Sequence, residues 1–193
     1  MRTADETKAR IREGLLALLR DTDVDDIVVK DLVGAVGISR STFYLYYDSV
    51  YSVLQEIEDD FFAGMARITG SYTENHYDDR YFFVPSALTI DVMRFARENS
   101  DMFLSLLGRH GEQQFQHKLD QLLYRDLGRR AIDEGYIKVP PDEEDAVCTF
   151  IANGHKALLL YLSAHPNGID EPCFAVLTYR LLFGSFRNWR EER

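Results

Sequence analysis

A chain of 193 residues, 46% hydrophobic and 12% aromatic, is long enough to bury a sizeable core and too apolar to stay disordered. Its formal charge of −10 excludes a protein that coats nucleic acid with its whole surface, because phosphate neutralisation takes clustered Lys and Arg. The mixed-charge start MRTADETKAR, and a late apolar run no longer than ALLLYL at 157–162, exclude a membrane span; a cytoplasmic protein is expected.

Strand signals are scarce and apolar residues recur at spacings of three and four almost throughout, which predicts an all-α fold. The first helix is predicted from about Asp5 to Leu19, with Ile11, Leu15, Leu18 and Leu19 on one face, and DTDVDD breaks it. A short helix follows from about Lys30 to Val36. It stops at Gly37, the residue that most easily takes the left-handed conformation of a helix end. Ser39 is the N-cap of the next helix, which is expected to carry STFYLYY.

Two short helices joined through a glycine turn and braced by a longer one form a helix-turn-helix pattern, although a plain helical hairpin has the same outline. Asp48 and Ser49 then interrupt the aromatic helix and cap a long one, on which Val50, Val53, Leu54, Ile57, Phe61, Met65 and Ile68 share a side. Residues 71–81 read as a polar loop. Helices resume at about Pro85 to Glu98, Asp101 to Leu107 and Glu112 to Glu134, the last ended by Gly135.

Two final helices, about Glu143 to Ala164 and Glu171 to Arg190, are separated by HPNGID and should form an antiparallel hairpin. FIANGHKALLLYL and CFAVLTYRLLFGSF are apolar on more than one side. One side then belongs to the domain's own core and the other to a second copy of the hairpin, unless both lie inside one monomeric core.

Charge is distributed unevenly. The run from Leu32 to Tyr47 contains no acid and one cation, Arg40, so a phosphate backbone could approach it without meeting a carboxylate. On a helical wheel Phe43 and Tyr47 lie about 40° apart and face one way, while Ser41 and Leu45 point nearly opposite, with Tyr44 and Tyr46 on the shoulders. Phe43 and Tyr47 are therefore core residues. The hydroxyls of Tyr44 and Tyr46 are free to bond phosphate, or their rings simply half-bury; Arg40 is the side chain able to pair bidentately with guanine.

Residues 5–54, above all VVKDLVGAVGISRSTFYLYYDSVYSVL, resemble the DNA-binding domain of the TetR (tetracycline-repressor-like) family of transcription regulators. The resemblance rests on the short apolar helix, Gly37, the Ser cap and the run Thr42, Phe43, Tyr44, one variable residue and two aromatics before a long helix; residues 55–193 match in architecture only. It implies a helix-turn-helix domain at 1–48 and an all-helical effector-binding and dimerisation domain at 49–193. The implied function is sequence-specific transcription regulation, by a ligand-responsive repressor acting as a homodimer on a palindromic double-stranded operator, with the two last helices as the dimer contact.

The same resemblance implies DNA contacts at Lys30, Ser39, Arg40, Ser41, Thr42, Tyr44 and Tyr46. Relatives often have Thr where Val29 stands and a phosphate-binding Lys where Val50 stands, so weaker binding, or compensation by Arg2, Lys8 or Arg10, is expected. An effector pocket for a small apolar or amphipathic molecule would draw on Phe61, Met65, Phe82, Met93, Phe103, Phe115, Tyr124, Phe150 and His155, residue types that also make ordinary core.

The competing reading from another class is an enzyme. No Gly-rich phosphate loop, paired-cysteine motif or HExxH is present, and His110 and His117, like Cys148 and His155, stand about 10 Å apart along a helix, too far to share a metal. No catalysis, cofactor or metal is expected, and Cys148 and Cys173 read as small buried hydrophobes. A helical regulator that works through a protein partner instead of a small effector is the alternative within the same fold.

Overall fold

The computed structural model describes residues 3–71, 87–135 and 137–182, and among them ten α-helices and no strand. Helix α1 (Ala4–Leu18) begins where the Thr3 hydroxyl accepts from the Glu6 amide at 3.2 Å and the Glu6 carboxylate accepts from the Thr3 amide at 3.0 Å, a reciprocal cap. The DTDVDD break contains one tight helical turn at Val24–Asp26, which periodicity had not indicated. Helix α2 (Val29–Val36) ends on Gly37 at φ 65°, the left-handed conformation expected there.

Helix α3 is shorter than STFYLYY. It runs Arg40–Phe43, and from Phe43 onward the amides of Leu45 and Tyr46 bond three residues back, to Thr42 and Phe43 carbonyls at 3.3 and 2.9 Å. The chain keeps turning, more tightly, through a stretch in which aromatic side chains hold no strong helix propensity. Helix α4 (Val50–Gly70) starts on Ser49, whose hydroxyl accepts from the Ser52 amide at 3.1 Å while the Ser52 hydroxyl accepts from the Ser49 amide at 3.1 Å.

Further on lie α5 (Ala87–Glu98), α6 (Ser100–Leu106), α7 (Gln113–Leu123), α8 (Arg130–Asp133), α9 (Glu144–Ala164) and α10 (Glu171–Leu182). The single helix expected over 112–134 is interrupted by a wider π-type winding at Tyr124–Arg129, between α7 and α8. Within it Gly128 lies against the α9 backbone: a Cβ there would stand 2.7 Å from the Cys148 Cα. The loop expected at 71–81 falls almost wholly outside the described residues, as does the last helix beyond Leu182.

The chain divides into two compact units, residues 1–67 with 101–115 and residues 68–100 with 116–193. These units follow packing, and α4 up to Arg67 belongs with the helix-turn-helix segment. In the first unit Ile11, Leu15, Leu32, Phe43, Val53, Ile57, Phe61, Phe103 and Phe115 are buried. Phe61 meets Phe103 and Phe115 edge-on, with ring centroids 5.4 and 5.1 Å apart, the arrangement preferred by aromatic quadrupoles. The Ser105 hydroxyl donates to the Leu16 carbonyl at 2.7 Å, and Arg20 pairs with Asp101.

In the second unit α9 and α10 form the expected antiparallel hairpin. Gly154 meets Leu182 near one end, where an added Cβ would be 2.5 Å from a Leu182 methyl, and the Tyr161 and Phe174 rings stack at 6.1 Å towards the other. Arg97 of α5 donates to the carbonyls of Pro166 (2.7 Å) and Ile169 and stands 2.8 Å from Glu171, so one guanidinium holds the HPNGID turn. Ala131, Ile137, Val147 and Ile151 form a further apolar cluster beside the π winding.

Candidate nucleic-acid interface

In the helix-turn-helix segment one face is filled and the other is bare. Phe43 and Tyr47 are buried, as the helical wheel required, and Tyr44 packs its ring edge-on to Phe43 at 5.4 Å while remaining 55% exposed. Lys30, Ser39, Arg40 and Ser41 are exposed, and Thr42 and Tyr46 half-buried. Neither Lys30 nor Arg40 takes part in an ion pair among the described residues, so both charges are available to an outside partner.

Ser39 and Thr42 are partly committed locally. The Ser39 hydroxyl accepts from the Thr42 amide at 3.0 Å, as an N-cap, and lies 2.8 Å from the Thr42 hydroxyl. Asp31 reaches back to the Val28 amide at 3.4 Å to open α2; Val28 has no side-chain acceptor to reciprocate.

The α1 cations are engaged within the chain. Lys8 donates to Glu56 at 2.6 Å and lies over the Tyr47 ring, Arg12 pairs with Asp60 at 2.6 Å and Glu56 at 3.5 Å, and Arg10 donates to the Val36 carbonyl. Arg2 lies outside the described residues. Arg10 instead closes the C-terminus of α2, where a cation satisfies an orphan carbonyl and the helix dipole together. Val50 is buried in the core, a place where a lysine would have to be desolvated.

Glu56 is the hub of this network. Burial pushes its carboxyl up, but the Lys8 ammonium, the Tyr47 hydroxyl donating at 3.0 Å and Arg12 together hold it below the usual carboxylate range. Burial and the same hydrogen bond push the Tyr47 hydroxyl well above its ordinary value, so it stays protonated. The inward half of the aromatic stretch is thereby clamped to α1 and α4.

The nine pocket candidates are spread over both units. Phe61, Phe103 and Phe115 form the aromatic core described above and Met65 is buried in the same unit. Met93 and His155 are buried in the second unit, and Tyr124 donates to Asp145 at 2.7 Å. Phe150 is 53% exposed: Ile151 and His155 take the inward face of α9, and Phe150 falls on the outer one with Tyr161. Phe82 lies outside the described residues.

Periodicity did not single out His155 Nδ1 and Thr178 Oγ1, buried polar atoms of this unit with no hydrogen-bond partner among the described residues. Burial lowers the His155 pKa to about 4, so the ring is neutral. Cys148 is buried as expected, whereas Cys173 is exposed, because it sits in the first turn of α10 with its amide bonded to Asp170 at 2.8 Å. Among the described residues no group of three or more His, Cys, Asp or Glu could hold a metal ion, and no helix is long and apolar enough to cross a membrane.

No family model matches the chain. A TetR transcriptional regulator from Streptococcus agalactiae 2603V superposes with a TM-score of 0.62 at 20% identity, over 93% of this chain and 94% of that one. The chain carries the TetR fold. A TetR-family regulator from Syntrophomonas wolfei str. Goettingen matches at a TM-score of 0.58 and 18% identity, over 93% and 94% of the two chains. The dihydroxyacetone kinase operon activator DhaS matches at 0.52 and 16%, over 94% and 96%. In sequence, 94% of the chain is 21% identical to YxbF of Bacillus subtilis (strain 168), described as an uncharacterized HTH-type transcriptional regulator. The aligned part is 47% of YxbF, so the chain spans about half the length of the curated relative it matches.

Proposed function

We propose that the protein is a sequence-specific, DNA-binding transcription regulator of the TetR type, with a helix-turn-helix head at residues 1–48. The observation that carries this reading is the division of the stretch 39–47: Phe43 and Tyr47 are buried, and Arg40, Ser41 and Tyr44 are exposed in a run, Leu32 to Tyr47, that contains no acid. Arg40 supplies bidentate base readout, Lys30 a phosphate contact, and Ser39, Ser41, Thr42, Tyr44 and Tyr46 further backbone or base contacts.

The regulator works as a homodimer through α9 and α10, whose outer faces present Phe150, Tyr161 and Leu181 to solvent in the single chain. An amphipathic effector in the second unit would bond His155 Nδ1 and Thr178 Oγ1, which have no partner among the described residues, and releases DNA only if it binds the DNA-incompetent form more tightly. Repression is the direction proposed; DhaS, described as an activator, carries the same fold.

The test is selection of a duplex from a random library, followed by titration of the wild type and of the Lys30→Ala/Arg40→Ala variant. Nanomolar binding to a palindrome is expected, with Arg40→Ala costing about 1–3 kcal/mol and relaxing selectivity at one position. Unselective binding by the wild type, or a double variant with unchanged affinity and selectivity, refutes the assignment.

A further inference from the structure

We propose that Leu45 reads the 5-methyl group of a thymine in the major groove and so selects thymine over cytosine at one position of each operator half-site. This rests on the DNA-binding reading above and names a contact which that reading lacks. Leu45 is 77% exposed, the most exposed large hydrophobic side chain among the described residues.

Its exposure follows from the turn it occupies. Phe43 and Tyr47 fill the inward side, which leaves Leu45 opposite them on the side of exposed Ser41, four residues earlier. The Leu45 amide bonds the Thr42 carbonyl at 3.3 Å, so the chain is still turning where Leu45 stands. An aliphatic side chain thus stands on a face that otherwise offers Arg40 and Ser41.

Beside Leu45 the Ser39 hydroxyl is partly committed to capping and to Thr42, and the Tyr44 ring packs on Phe43. In the major groove the apolar feature that distinguishes one base pair from the others is the thymine methyl, which is the partner an aliphatic group can use. A leucine alone on a surface is ordinary; a leucine aligned with the base-facing side of the recognition turn is placed for this contact.

The experiment uses the full chain and its selected operator, with each thymine replaced in turn by deoxyuridine, which removes the methyl and nothing else. The wild type is expected to lose about fourfold in affinity at one thymine per half-site, the worth of one buried methyl, and about fifteenfold when both half-sites are substituted. Leu45→Ala should be indifferent to that same replacement and should accept cytosine there, while Leu45→Met keeps the sensitivity. If the operator is bound selectively and no deoxyuridine position depends on Leu45, this contact is overturned and the DNA-binding reading stands. If no duplex is bound selectively, both are overturned.

Discussion

Lowering the pH from 7 to 5 is expected to destabilise the protein by about 2 kcal/mol through one residue, His155. Its folded pKa is about 4 against 6.5 for a free imidazole, because the ring is fully buried and the charged form loses its hydration. The unfolded chain takes up a proton as the pH falls through 6.5 and the folded chain does so only near 4. Stability is therefore complete above the higher value, declines between the two and levels off below the lower. Linkage over the whole interval is worth about 3 kcal/mol, of which about 2 is lost by pH 5. Urea denaturation of the wild type and of His155→Leu across pH 4–7 measures it, since the other histidines are common to both and cancel. The leucine also removes the unpartnered Nδ1, so at pH 7 the variant should match or exceed the wild type. Parallel stability curves, or a His155 ring signal titrating near 6.5, would refute the reasoning.

Two substitutions test the packing and the ionic network. Gly128→Ala places a Cβ 2.7 Å from the Cys148 Cα and 3.0 Å from its carbonyl oxygen, backbone atoms that cannot yield, so a loss at or above the upper end of about 1–3 kcal/mol is expected by urea denaturation. Gly34→Ala on α2 meets nothing within 4 Å and should instead gain about 0.5–1 kcal/mol. Glu56→Gln should cost about 1 kcal/mol near neutral pH, because it removes the charge between Lys8 and Arg12. Glu56 is held below its ordinary pKa, so its contribution is present above the ordinary carboxylate value and lost as the pH falls through the lowered one. Wild-type and variant denaturation curves that fail to converge in acid would refute the network's role.

Local chemistry made the helix-turn-helix legible. Gly37 and Ser39 declared their backbone states by residue type, and the phase between Phe43 and Tyr47 separated the buried side from the exposed one even though α3 proved too short for a regular wheel. What could not be read depended on partners distant in sequence. Arg10 looked like a spare surface cation, and only the approach of α1 to the end of α2 turns it inward to Val36. Phe150 and His155 share an apolar helix, and five residues of rotation decide which is exposed; the sequence is apolar on both sides there and carries no phase to choose by. The winding at 124–129 leaves no composition signal, and the close approach of Gly128 to α9 within it depends on residues distant in sequence.

That winding has a consequence for chain length. A π turn holds one residue more than an α turn needs to span the same rise, so the segment behaves as an insertion absorbed without breaking the helix. Leu119 and Leu123 before it and Ala131 after it are all buried, with the surplus taken up between them. Removing one residue from 124–129 would rewind the stretch as a plain helix and leave both flanking stripes where they are. The same deletion one turn earlier or later would swing one stripe by about 100° out of the core. The helix therefore has a single splice point, and length variants of this chain should differ there first.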